Sequence, residues 1–405
     1  MEARDLFTAA LQLGEQWRVE ECDLRREEGV LTLRIGFVRG SKFVAPGQGH
    51  QLGLPVHDTV ERRWQHLNFF QFRTELVARV PRVKTPEGQV VQVEVPWARA
   101  GSGFTLLLEA MAMLLCRQMP VSEAAELLAI EDTRLWRTIE HHVEAAYATQ
   151  SWKGVRRILI DETSARRGHR YVTNIIDADT RRLLFMAEGR ESQTVAAFAQ
   201  EMRRHGADPA QIELVSMDMS AAYFKGVREH LPQAEVVFDL FHLMMLAGAA
   251  LDKVRRALAR EGADLKGGLW ALRGNQWTRS ATQLQMRENL CKLYPRLARA
   301  MMLREMLQDV LAGQDAESLD WWCRRAMRSR LEPFKDLART IRRHRQGILA
   351  FLATRVTNGL VEAINGLLQL AKRSARGFRS FKNFRLIALL KAARLHIALP
   401  RVLPT

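Results

Sequence analysis

The 405-residue sequence predicts a mixed α/β molecule, with a β-rich start, a helical block, a sheet crossed by helices and a long all-helical stretch. Three observations predict it. The first hundred residues hold alternating apolar runs between prolines, residues 156–239 switch repeatedly between strand and helix periodicity, and the chain beyond Leu240 is helical in pattern almost throughout. A chain of this length exceeds what one compact core organises, so two to four structural units are expected.

Taken in order, GVLTLRIGFV (29–38) reads as a strand, and TELVARV (74–80) with QVVQVEV (89–95) as a hairpin around KTPEG. The run RAGSG (99–103) reads as a hinge. Phe104 to Gln118 is apolar almost all round and is expected to be a buried helix. Ser122 is placed to cap a helix with inner face Ala125, Leu128 and Ala129. After a break at Glu131-Asp132-Thr133, a second helix carries Leu135, Ile139 and Val143 on one face. Two short helices at this spacing fit a helix-turn-helix, with Arg134, Trp136 and Arg137 as candidate DNA readers. Any helical hairpin gives a similar pattern, and Trp136 also suits packing.

From residue 156 the order is strand (RILID), strand (RYVTNIID, 170–177), strand (RRLLFMAEG, 181–189), helix (192–206, Ser192 as cap), strand (IELVSMD, 212–218), helix (221–231) and strand (AEVVFD, 234–239). Residues 245–350 read as an all-helical insertion anchored by Trp270, Trp277, Trp321 and Trp322, and 351–405 as further helices. The expected divisions are therefore 1–100, 101–150, 151–244, 245–350 and 351–405.

Composition narrows the function. Sixty-one Lys and Arg against 45 acids leave a net charge of +16, a field that attracts polyanions, above all nucleic acid. The most apolar run, Leu106 to Cys116, is too short to span a bilayer and contains Glu109. The start MEARDLF lacks the basic and apolar regions of a signal peptide, so a cytoplasmic, nucleoid-associated protein is expected, with no membrane partner. Cys22, Cys116, Cys291 and Cys323 lie far apart and form neither a disulfide framework nor a C-x-x-C pair.

Two strands end in an acid, Asp161 after Ile158-Leu159-Ile160 and Asp218 after Leu214-Val215-Ser216-Met217. Lying parallel and adjacent, such strands would bring both carboxylates to one sheet edge, where they repel unless a cation lies between them. Each alone also suits a turn or cap. A third acid stands out further on. Residues 337–405 hold fourteen Lys or Arg and one acid, Glu362, with Asn365 one turn beyond it. Glu362 suits a salt bridge or a third ligand of a metal site, and an all-oxygen set favours Mg²⁺ or Mn²⁺ over zinc.

Asp161-Glu162-Thr163, Asp218-Met219-Ser220 with Tyr223, Phe238-Asp239-Leu240-Phe241-His242, and Thr357-Asn358 with Glu362 and Asn365 together resemble the DDE transposases of bacterial insertion sequences. The tail Lys372, Ala375-Arg376-Gly377-Phe378 and Lys382-Asn383-Phe384 resembles theirs too, as do WQHLNFFQF (64–72) and RVPRVK (79–84), so the resemblance spans about 37–400. It implies an RNase H-like mixed sheet carrying the large all-α insertion, preceded by the small β-rich unit and the helix-turn-helix. It implies that Asp161, Asp218 and Glu362 hold two divalent ions, Mg²⁺ or Mn²⁺, with Asp239, His242 and Asn365 in support. Asp239 rivals Asp218, but in such a sheet the fourth strand, not the fifth, adjoins the first.

The implied activity is metal-dependent cleavage and strand transfer of double-stranded DNA, at terminal inverted repeats and target sites, by a homodimer or larger assembly. A catalytically inactive DNA-binding protein is the alternative, and a nuclease without strand transfer a third. Lys372, Arg373, Arg376, Arg379 and Lys382 would grip the backbone, while the interleaved phenylalanines read as core. The chain departs from relatives at one point: Ala45-Pro46-Gly47-Gln48 and Thr85 stand where zinc-binding cysteines are expected. His50, His57 and His66 are too scattered to replace them, so no zinc is expected.

Overall fold

A computed structural model describes the chain except for residues 1, 48–52, 167–169, 190, 239, 266–270, 273–279, 314, 355–358 and 402–405. The chain forms two compact units, Met1–Ala146 with the segment from Leu395 on, and Tyr147–Arg394.

The first unit opens with helix α1 (Ala3–Ala10) and a five-stranded sheet of β1 (Trp17–Arg25), β2 (Val30–Phe37), β3 (Val56–Gln65), β4 (Arg73–Lys84) and the short β5 (Val90–Gln92). The order is β1-β2-β4-β3, with β5 also on β4. The β4–β5 hairpin and β2 match expectation; β1 and β3 escape it, because their charged, half-exposed residues leave little apolar alternation. Trp17, Trp64 and Trp97 meet edge to face at the centre of the core, with centroids 4.9 Å apart for Trp17–Trp97 and 5.6 Å for Trp64–Trp97. Such T-shaped pairs satisfy the ring quadrupoles as well as burying area.

Three helices follow: α2 (Leu106–Gln118), α3 (Val121–Leu127) and α4 (Asp132–Ala148). Leu135, Ile139 and Val143 are fully buried, as their spacing predicts. Ser122 does not cap α3; Pro120 holds that position, because its fixed φ starts the helix without needing a side-chain oxygen. The inner face is Val121, Ala124, Ala125 and Ile130, while Ala129 is exposed in a left-handed turn (φ 50°) that redirects the chain. Residues 99–103 are tied down, which corrects their reading as a hinge. The Arg99 Nε donates to both oxygens of the buried Glu109 (3.0 and 3.1 Å), and Ser102 Oγ donates to the same carboxylate at 2.7 Å. His142 from α4 joins it at 2.7 Å. Burial would raise the Glu109 carboxyl, but hydrogen bonds from His142 and Ser102 and the Arg99 charge hold it below its usual range.

The second unit contains a sheet ordered β10-β9-β6-β7-β8, from β6 (Arg157–Arg166), β7 (Arg170–Asp177), β8 (Arg182–Glu188), β9 (Leu214–Met217) and β10 (Glu235–Phe238). β6, β7 and β8 form an antiparallel meander, and β9 and β10 add parallel to β6 and β9. Helices α5 (Ser192–Arg204) and α6 (Ala221–His230) are the connections, in the order the sequence predicts. Glu191, not Ser192, occupies the cap position of α5. Ile158, Ile160, Val172, Ile175 and Val215 are fully buried, as strands covered on both faces must be.

Beyond the sheet come α7 (Leu240–Arg260), α8 (Ala281–Leu293), α9 (Pro295–Ala312), α10 (Ala316–Met327), α11 (Glu332–Arg343), α12 (Arg345–Thr354), α13 (Gly359–Ser374) and α14 (Phe381–Ala392). α12 returns to β10: a Cβ on Gly347 would come within 2.9 Å of the Val236 carbonyl oxygen, so only glycine permits this approach. Trp322 is fully buried and Trp321 exposed, while Trp270 and Trp277 lie outside the described residues. Among the described residues no helix is long and apolar enough to cross a membrane.

Candidate active site

Asp161 stands in β6 between two neighbouring strands. Asn174 lies directly opposite it on β7. On the other side, the β6–β9 register ends at Leu159↔Ser216, and continuing it by two residues sets Asp161 level with Asp218. Asp218 directly follows the last residue of β9, as expected, but β6 does not end at Asp161: it runs on to Arg166, because the β6–β7 pairing continues through Thr163 and Ser164. Asp218 Oδ1 accepts the Ser220 amide at 3.0 Å, an Asx turn that leads the chain into α6.

Tyr223, one turn into α6, is buried and shares a 2.6 Å hydrogen bond with Thr173 of β7. Burial pushes its phenol above the usual range, and the carboxylates of Glu162 and Asp218 add to the shift against the Thr173 bond. The hydroxyl is therefore a neutral donor or acceptor beside the acids.

Helix α13 lies along β6. Asn365 Nδ2 donates to Asp161 Oδ2 at 2.6 Å, and Asn365 Oδ1 accepts Asn174 Nδ2 at 2.8 Å. One turn on, Gln369 Nε2 donates to Thr163 Oγ1 (2.6 Å) and to the Ser164 carbonyl (3.0 Å). Lys372 Nζ donates to the same carbonyl at 2.5 Å. Positions 365, 369 and 372 share one helical face, so successive turns of α13 grip a single strand.

Glu362 occupies the first turn of α13, exposed, and one turn before the asparagine that touches Asp161. A helical turn advances about 5.4 Å. Among the described residues, no three His, Cys, Asp or Glu side chains gather closely enough to hold a metal ion. Asp161 thus lies in β6, Asp218 directly follows the adjacent strand β9, and Asn365 contacts Asp161, with Glu362 on the adjoining helical turn. Glu362 is therefore not brought together with Asp161 and Asp218 into a metal-holding cluster among the described residues. Asp239 and the pair Thr357-Asn358 lie outside the described residues. His242 is half-buried in α7, its ring 6.0 Å from Phe241.

Asn174 and Gln369 contact the candidate site residues and were not singled out in the sequence, whereas Thr163 was quoted only as part of a motif. The one signal for Asn174 is polarity inside an otherwise apolar central strand, at the Thr173-Asn174 step of RYVTNIID. Of the expected DNA-contacting residues, Arg373, Arg376, Arg379 and Lys382 are exposed, and Lys372 is half-buried against β6. Burial and the neighbouring Arg373 lower the Lys372 ammonium from its usual value. Phe384 is buried and Phe378 stacks on it at 5.2 Å, so these rings serve the core. In the helix-turn-helix region Arg134 sits 4.1 Å over the Phe104 ring, Trp136 is half-buried and Arg137 exposed.

Comparison with known proteins shows the family. The ISL3-type DDE transposase family model matches residues 158–388, and the helix-turn-helix domain of the same transposase family matches 93–143. A zinc-finger model of related transposases matches 54–87. That span of this chain contains no cysteine, and its histidines do not compensate: His57 is exposed and His66 bonds Thr105 at 2.8 Å. The residues present do not fit a zinc ion. The transposase for insertion sequence element IS1557 from Mycobacterium tuberculosis is 32% identical over 375 residues, 84% of this chain and 83% of that protein. The transposase for IS1001 from Bordetella parapertussis is 26% identical over 345 residues, 81% and 84% respectively. With a transposase model over more than half its length and a full-span relative at this identity, the chain belongs to the ISL3 family of DDE transposases.

Proposed function

We propose that this transposase cuts the ends of its insertion sequence and joins them to target DNA at a site formed by Asp161, Asp218 and Glu362. The observation that supports the reading most is the β6–β9 register, which, continued two residues past its last pair, would put Asp161 opposite Asp218, beside a helix clamped to β6. The strand order, with β6 central between β7 and β9, supports an RNase H-like core. Asp161, Asp218 and Glu362 would hold two divalent cations, Mg²⁺ or Mn²⁺, which when bound supply Lewis acidity at the scissile phosphodiester. Asp161 and Asp218 offer rigid oxygens because their strands are buried, and Asn365 orients Asp161 by donating to one of its oxygens. In this reading Glu362 would complete the set from the exposed first turn of α13. Asp239 and His242 are supporting residues in this reading.

Arg134, Trp136 and Arg137 are assigned to double-stranded DNA at the terminal inverted repeats, and the exposed basic residues of α13 and α14 to phosphates there and on target DNA. Phosphate contacts fix register and affinity, not sequence. A homodimer or larger assembly follows from work on two element ends, and the nucleoid is where it would act. The β-rich first unit folds without zinc, on its tryptophan core. Retention of all three acids weighs against the inactive DNA-binding alternative.

The test uses the full chain with labelled duplex carrying the element's ends, in Mg²⁺ or Mn²⁺. Asp161→Asn, Asp218→Asn and Glu362→Gln should each abolish nicking and joining while gel shifts of the same duplex persist. Parental cutting by the Glu362→Gln protein would overturn the triad, and cut but unjoined products would point to a nuclease.

A further inference from the structure

The helical stretch beyond the sheet carries a cavity of about 350 Å³ that the catalytic reading does not use. Its floor is Leu303 of α9, and Trp322 of α10 locks that floor in place by donating its indole N–H to the Leu303 carbonyl at 2.8 Å. The rim is cationic. Arg299, Arg324, Arg325 and Arg328 all line the cavity, and no acidic side chain does. Among the described residues none of these four arginines is in an ion pair. The nearest candidate, Asp320, is committed to Arg345 through two bonds of 2.9 and 2.8 Å. Arg299 keeps one bond, to the Ser329 carbonyl at 3.0 Å, which aims its guanidinium along the rim.

The aromatic beside them is exposed. Trp321, next in sequence to the buried Trp322, stays 44% exposed, with Arg325 5.5 Å over its ring. Amphipathic periodicity alone does not require a large aromatic on the wet side of α10. Arginines at a helix C-terminus do complement its dipole, which accounts for Arg324 and Arg325. It accounts neither for Arg299, which comes from another helix, nor for the tryptophan.

We propose that this cavity binds an unpaired DNA strand, with a base stacked on Trp321 and the flanking phosphates held by Arg299, Arg324, Arg325 and Arg328. Each part has its physical reason. A flat indole accepts the face of any base, and guanidinium groups match phosphate oxygens in pairs. The volume lies within the roughly 300–1,000 Å³ of small-molecule sites, ample for one nucleotide. Duplex DNA buries its base faces in the stack and cannot use the tryptophan, so the site discriminates for single strands. The proposal rests on the transposase reading only in its choice of ligand: cutting and joining expose unpaired ends.

The experiment compares a fluorescein-labelled oligothymidylate with a duplex of the element's end, titrated with the full-length protein and its variants. Trp321→Ala should weaken the single strand by roughly 5- to 150-fold, the range one base–aromatic stack supports, and leave the duplex within about twofold. Trp321→Phe should restore part of that loss. Arg324→Gln with Arg328→Gln should reduce the salt slope for the single strand by roughly 1.4, about 0.7 per phosphate contact. In the unmodified protein, an oligonucleotide carrying 5-iodouridine should photo-crosslink to the peptide containing Trp321. Parental single-strand affinity in Trp321→Ala, equal losses on both ligands, or crosslinks confined to other peptides would each overturn the proposal. Asp161→Asn run alongside separates the two readings: cutting by that variant sinks the catalytic site and leaves the cavity, whereas normal binding by Trp321→Ala sinks the cavity alone.

Discussion

His66 shows how one residue reports on a whole unit. Burial lowers its imidazole from an ordinary value near 6.5 to about 4, and its Nδ1 meets the hydroxyl of Thr105, the residue that caps α2. The neutral ring is therefore the folded form. Between pH 6.5 and 4 the unfolded chain binds a proton that the folded one refuses, so stability falls as pH drops through that window. The loss contributed by His66 should reach up to about 3 kcal/mol near pH 4. Urea titrations at pH 7, 5 and 4 would measure it. A His66→Gln variant should show a smaller decline over the same range; an equal decline would assign the pH dependence to other groups.

At the scale of elements, the grip of α13 on β6 decides whether the third acid has a place in the site. Asn365, Gln369 and Lys372 make four hydrogen bonds to Asp161, Thr163 and Ser164. In the proposed site Asn365 would act as a positioning residue through its hydrogen bond to Asp161. Replacing it by Leu removes a donor to a carboxylate and leaves the Asn174 amide without its partner. Supporting contacts of this kind are worth roughly 10- to 100-fold in activity or metal affinity. Asn365→Leu should therefore lower nicking by that factor and raise the Mn²⁺ concentration needed for half-maximal rate, with duplex binding unchanged. Loss of rate with no change in the metal requirement would place its role elsewhere.

For the whole molecule, net charge and metal use make separable predictions. A +16 protein that holds several phosphates should lose DNA affinity steeply with salt, with a log–log slope of about −0.9 per phosphate neutralised on duplex DNA. The first unit, with no cysteine in its 54–87 span and built on Trp17, Trp64 and Trp97, should melt at the same temperature before and after prolonged chelation, while nicking stops. A drop in melting temperature on chelation, reversed by zinc alone, would show that other side chains bind the metal.

Sequence alone determined the charge and the order of strands and helices around the sheet, because periodicity and composition are local quantities, and its resemblance to a family nominated the three acids proposed for the site. It also carried the missing cysteines. Tertiary structure decided that β9 adjoins β6, parallel and paired up to Leu159↔Ser216. It decided that Asn174 and Asn365, 191 residues apart, form one relay onto Asp161. The apparent hinge at 99–103 became an anchor because Glu109, buried and needing compensation, draws Arg99, Ser102 and His142 around it. Contacts between distant residues depend on which surfaces the fold brings together, and no short stretch of sequence encodes that.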